Sequence, residues 1–159
     1  MNENNLEKII NNIVGDAIVK EVMSLKLAVK LIETVEEKEA EMGLAVVVAV
    51  SDASGRPVAV HCMDGAYHGS FDVAVNKTYT STAFQMSTAK LSRLCQPGQD
   101  LYGLQFSNNG KVMILGGGEP LMVGRTMIGA LGVSGGSAQE DSDLAAYGAS
   151  ALKEVIKCL

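Results

Sequence analysis

The chain has 159 residues, of which 47% are hydrophobic and 19% charged, with a formal net charge of −5. That length suits one domain with one core, and the scattered Lys and Arg, the absence of Trp and the 4% aromatic content exclude phosphate-backbone tracking and base stacking. The low charge content predicts that part of the surface is covered by a partner, most economically another copy of the chain.

Residues 1–22 form the first predicted element. Leu6, Ile9, Ile10, Ile13, Val14, Ala17 and Ile18 recur at helical spacing and make one apolar stripe, with Asn, Glu and Lys opposite. Glu3 and Glu7 interrupt any leader-like apolar run, and no stretch of about 18 apolar residues follows anywhere, so neither a secretory signal nor a membrane span is expected. A domain over 24–159 comes next. Ser24 is a good N-cap, Ala28, Leu31, Ile32, Val35 and Met42 keep a helical period, and Gly43 ends it. From Leu44 to Val50 the period changes to a continuous apolar run, the mark of a buried strand. Asp52-Ala53-Ser54-Gly55 is a turn, Val58–Met63 the returning strand, and Asp64-Gly65-Ala66 its stop.

Ser70 is placed to cap a helix over Phe71–Phe84 that is rich in small side chains, and Ser87 to open a short one reaching Leu94. Pro97-Gly98 breaks the chain, and residues 99–107 read as loop. After the turn dipeptide Asn109-Gly110, Lys111–Leu115 is a predicted strand, Gly116 to Pro120 a turn, and Leu121–Val123 with Thr126–Ser134 a hairpin. Ser137-Ala138-Gln139-Glu140 is a capping box before a helix striped by Leu144, Ala145, Gly148, Ala151, Leu152, Val155 and Ile156. Strands joined by short turns are antiparallel, and helices bracketing them give an α+β layered domain.

Several residues carry candidate chemistry. His61 and Cys62 are neighbours on a strand, so they face opposite sides and cannot bind one metal ion from the same chain. That leaves ligation by either alone or in trans from two subunits, or else a buried core thiol at Cys62 and an exposed or hydrogen-bonded imidazole at His61. His68 lies in the following loop. Asp64 and Lys77 read as a salt bridge that holds the turn, or else as an acid/base pair. Gly116, Gly117 and Gly118 lack the context of a phosphate loop, and close backbone approach is the preferred reading. Gly132 to Ser137, Gly135 included, runs into a helix N-terminus, which reads as a plain capped start or an anion cradle. Cys62, Cys95 and Cys158 contain no CxxC and imply reduced thiols, not a zinc knuckle or a disulfide framework.

Gly55 to Ala59, Met63 to Ala66, Ser70 with Ala74 and Lys77, Gly116 to Leu121, and Ile128 to Gly136 followed by Glu140-Asp141 occur in an order that resembles the GlcG/HbpS family. That family includes the C-terminal domain of PduO-type proteins, and the likeness covers roughly residues 24–157. It implies a profilin-like fold with a five-stranded antiparallel sheet and helices on its faces. It further implies a haem or other tetrapyrrole cofactor and a homo-oligomer, an octamer or other even assembly. The alternative it implies is a small-molecule enzyme or accessory factor in propanediol, glycolate or corrinoid metabolism, and whether the chain is an enzyme stays open.

With haem in view, His61, Cys62 and His68 are the candidate iron ligands, ahead of Met63, Tyr67, Tyr79 and Tyr102. Gly116, Gly117, Gly118 and Gly135 are candidate cofactor neighbours, and Asp64 and Lys77 the weak catalytic candidates. Cys62 stands where the family usually has Arg, which exchanges a fixed cation for a soft ligand. The stripe at 1–22 has three readings: packing on its own domain, closing an oligomer, or contacting a microcompartment shell or enzyme. The location expected is the cytoplasm, or a bacterial microcompartment within it.

Overall fold

A computed structural model describes residues 22–159. The expected N-terminal helix at 1–22 therefore lies outside the described residues, apart from Val22. Helix α1 is Leu25–Met42, opened by Ser24, whose Oγ accepts from the Leu27 amide at 3.1 Å, and closed at Gly43. Its stripe of Leu27, Ala28, Leu31, Ile32 and Val35 is buried, while Met42, its last residue, is exposed. Strand β1 is Val47–Asp52 and β2 is Pro57–Cys62. The turn between them is pinned by the Asp52 carboxylate, which accepts from the Ser54 and Arg56 amides at 2.9 and 3.0 Å. Helix α2 is Ser70–Phe84, α3 is Thr88–Leu94, β3 is Gly118–Val123, β4 is Thr126–Ser134 and α4 is Ala138–Lys157. The capping box at α4 forms as the sequence predicts.

The strands make one antiparallel sheet in the order β2-β1-β4-β3. Alternation along the strands sends Val48, Val50, Leu131 and Val133 to one face, where α1 and α4 pack side by side over the main core. Burying each such aliphatic side chain is worth about 1.5–3 kcal/mol. Val47 and Ala49 point to the other face, which α2 covers, with α3 reaching β3 at Thr88. The small side chains of α2 let it settle directly on β4: a Cβ at Gly132 would collide with the Ala74 carbonyl. Helix α2 lies over β4, β1 and β3 and makes few contacts with β2.

The structure differs from the sequence reading in several places. Lys111–Leu115 is not a strand, so the sheet has four strands among the described residues, not five. The Met113 amide donates to Thr80 Oγ1 at 2.8 Å, and Val112 is buried beside Leu91 and Cys95, so this segment is tied to α2 and α3 and not to a sheet edge. Strand β3 starts at Gly118, within the expected glycine turn, while β1 starts three residues later than expected and runs on to Asp52. Ser70 is the first helical residue of α2 and does not cap it; Gly69 holds that position, without a side-chain bond. Asn109-Gly110 sits in a single helical turn, Asn108–Gly110, and joins no hairpin. No helix among the described residues is long and apolar enough to cross a membrane.

Candidate functional site

A buried ion pair organises the centre of the molecule. Lys77, on the sheet-facing side of α2, donates from Nζ to the Val133 carbonyl at 2.6 Å and to Asp141 Oδ2 at 2.7 Å. The two side chains are 1% and 6% exposed. The other oxygen of Asp141 accepts from the Gly136 amide at 2.9 Å. One carboxylate thus joins α2, the end of β4 and the first turn of α4, where the helix dipole favours it. Burial pulls the Lys77 pKa below the ordinary lysine value, and Asp141 opposes that pull.

Gly117 closes the arrangement. Its φ of +111° lies in the region that favours glycine, and a Cβ there would stand 2.6 Å from the Val133 carbonyl oxygen and 2.8 Å from Lys77 Nζ. Gly116 and Gly118 approach Ala138 and Thr88 as tightly, and the Gly118 amide donates to Thr88 Oγ1 at 2.9 Å. The glycine run therefore admits close backbone around a buried ion pair, as the preferred reading had it.

This corrects the expected pairing. Asp64 is exposed in the turn after β2, and the partner of Lys77 is Asp141. With Lys77 sealed, Asp64 and Lys77 do not form an acid/base pair. The run through Gly135 into α4 is equally committed. The Gly136 amide serves Asp141, the Ser137 amide serves Glu140 Oε2 at 2.8 Å, and the Glu140 amide serves Ser137 Oγ at 3.3 Å. The helix start is capped by its own side chains.

The remaining candidates gather around the end of β2, where the alternation has a decisive consequence. His61 pairs across to Val48 and faces α1; its Nδ1 lies 2.8 Å from Glu36 Oε1. Cys62 pairs across to Val47 and faces the α2 side, where its thiol is exposed. Because α2 barely reaches β2, this side of the strand is left as a shelf among the described residues. Val60, Ala66 and Val75 are half-buried there beside Val47, Ala49 and Ala74. The chain leaves β2 through two tight turns, with Ala66 N bonded to the Met63 carbonyl and Ser70 N to the Tyr67 carbonyl. These turns carry Tyr67 and His68 to the surface just ahead of Phe71, and Tyr67 is 74% exposed. The end of β2 thus combines uncovered apolar surface, a free thiol and an exposed imidazole, with His61 on the opposite face of the sheet.

The weaker ligand candidates are placed elsewhere. Met63 packs against the main core. Tyr79 accepts a hydrogen bond from Asn108 Nδ2 at 2.9 Å, and Tyr102 lies on the surface of the loop after α3. Sequence reasoning missed the Glu36–His61 contact, whose partners are 25 residues apart in different elements. It also missed Glu119, half-buried on β3, whose carboxyl is pushed up by burial. The signal for Asp141 was present: a lysine in the middle of a helix of small residues needs a carboxylate, and Asp141 follows the last glycine run by five residues.

The family model for haem-degrading HbpS-like proteins matches residues 23–150. An uncharacterised 15.0 kDa protein of Citrobacter freundii, encoded between dhaT and dhaS, is 38% identical over 123 residues, which are 77% of this chain and 87% of that protein. The corrinoid adenosyltransferase PduO of Salmonella typhimurium is 38% identical over 109 residues, or 69% of this chain. The match spans only 32% of PduO, about a third of that enzyme's length. Among solved structures, that of the PduOC:heme complex superposes with a TM-score of 0.78 at 35% identity, covering 82% of this chain and 94% of that one.

Proposed function

The chain belongs to the HbpS-like family of haem-degrading proteins, and from that premise we propose that it binds haem, or a related tetrapyrrole, on the shelf at the end of β2. The observation that carries the reading is the uncovered α2 side of that strand. Val60, Ala66 and Val75 offer an apolar surface there, Phe71 is exposed on α2 one turn before Val75, and Cys62 and His68 bring a thiol and an imidazole beside it. That donor set fits the group, since haem iron takes imidazole or thiolate and the macrocycle takes apolar contact. His61, turned toward Glu36 on the other face, is left out of the ligand set. Bound haem would supply a redox-active iron, and this chain's part is to hold it, offer an axial ligand and limit water around it.

One chain leaves the shelf open. A second copy laid over it completes the enclosure, and the assembly we propose is an even homo-oligomer such as an octamer. The low charge content supports a covered surface of this kind. The complex named for PduOC and the corrinoid chemistry named for PduO both support a tetrapyrrole as the ligand class.

The test is a titration of purified protein with hemin and, separately, with cobalamin, followed by absorbance. A saturable, shifted Soret band is expected with hemin. Phe71→Glu, which places a charge on the shelf from an exposed position, should weaken binding at least about tenfold, the effect of roughly 1.4 kcal/mol. An unshifted band matching free hemin would overturn the reading. So would a Phe71→Glu variant that binds as well as the parent.

A further inference from the structure

The end of the molecule opposite the shelf carries an apolar groove that the proposed function does not use. It lies between the β3–β4 turn and the last turns of α4, has a volume of about 650 Å³, and is lined by Met122, Val123, Leu152 and Ile156 with Lys153 and Lys157 at its rim. The described chain begins at the same end. Val22 and Met23 line a neighbouring cavity with Ile128, and the residue before Ile128, Met127, pairs across to Met122 of the groove. Met23 also shares the main core with Leu152 of the groove, so the start of the described chain and the groove lie at one end of the molecule.

We propose that the groove is the docking site of this chain's own N-terminal segment, with the stripe of Leu6, Ile9, Ile10, Ile13 and Val14 laid into it. Three observations converge. The stripe is apolar at helical spacing, and a helix over residues 6–18 is about 20 Å long. Residues 19–21 connect it to Val22 and reach about 10 Å when extended, a short tether anchored at the end of the molecule that holds the groove. The charges also match: residues 1–21 carry Glu3, Glu7, Asp16 and Glu21 against Lys8 and Lys20, whereas Lys153 and Lys157 border the groove, the latter paired with Glu154, and Lys26 lies at the start of α1. This is the recognition of an amphipathic helix by an apolar groove, made intramolecular by a short tether that keeps the effective concentration high.

Hydrogen exchange of the full chain, read by mass spectrometry over residues 6–18, tests it. The expected result is protection of at least about tenfold over the freely exchanging rate. That protection should be lost in Met122→Asp, reduced in Lys153→Glu, and kept in Leu115→Asp; all three positions are exposed, so the fold is retained. Protection should not change with protein concentration. Segment amides that exchange freely in the parent overturn the proposal, as does protection that survives Met122→Asp. Protection that grows with concentration would give the groove to a second copy, and protection that appears only with an added partner protein would give the segment to that partner; either also overturns it.

Discussion

Replacing Asp141 by Asn tests the central ion pair, because it preserves shape while deleting one charge. The amide oxygen still accepts from Gly136, but Lys77 Nζ keeps only the Val133 carbonyl as a strong acceptor, in surroundings where the lysine is 1% exposed. Removing one partner of a buried pair costs about 3–5 kcal/mol. The lysine can escape by losing its proton, which at pH 7 costs about 4.6 kcal/mol from an ordinary pKa near 10.4 and so caps the loss. Against a total stability of about 5–15 kcal/mol, that is about a fifth or more of what holds the fold. The escape also fixes the pH dependence. A folded variant with neutral Lys77 binds one proton fewer than its unfolded chain, so its stability rises with pH by about 1.4 kcal/mol per unit below pH 10.4. Urea denaturation of both proteins at pH 7 and pH 9 should therefore show a deficit that shrinks by up to about 2.7 kcal/mol. A deficit under about 1 kcal/mol at pH 7, or one that does not change with pH, would refute the reasoning.

Two further substitutions probe the same framework. Gly117→Ala forces a Cβ against the Val133 carbonyl at a φ of +111°, and a loss of at least about 2 kcal/mol is expected by thermal or urea unfolding; a change within about 0.5 kcal/mol would contradict the close approach. Glu119→Gln addresses a carboxyl that burial holds above the ordinary carboxylate value. The folded chain then binds that proton more tightly than the unfolded one, so stability is lost as pH rises from about 4.3 through the raised folded value. The Gln variant should match the parent below that window and exceed it above, as urea midpoints from pH 4 to 8 would reveal; a variant weaker than the parent at pH 7 would mean that the carboxylate has a favourable partner.

The hydrophobic period made most of the fold legible. Leu31, Ile32 and Val35 on one side of a helix and the Val-rich run ending at Val50 left little freedom in assigning α1 and β1, and the Ser137–Glu140 box located α4 from side chains alone. The extra strand at Lys111–Leu115 was read from local apolarity, which does not distinguish pairing with a strand from tethering by a threonine on a distant helix; Thr80 decided it. Gly118-Glu119-Pro120 looked like a turn because glycine and proline usually mark one, yet at the sheet edge β3 tolerates both. The site was legible only as residue types. Adjacency showed that His61 and Cys62 face opposite ways, but which of them meets the uncovered side depends on register with β1 and on how far α2 reaches. Lys77 was picked out while its partner was misassigned, since 64 residues separate it from Asp141 and only the packing of α4 closes that gap.

The most direct measurement is the hemin titration carried out on the parent alongside His61→Ala, Cys62→Ala, His68→Ala and the Cys62→Ala/His68→Ala double variant. The shelf assignment predicts a shifted, saturable Soret band in the parent and in His61→Ala, altered in Cys62→Ala or His68→Ala and lost in the double variant. A band abolished by His61→Ala alone, or one unchanged in the double variant, would contradict it and move the ligand to another part of the surface.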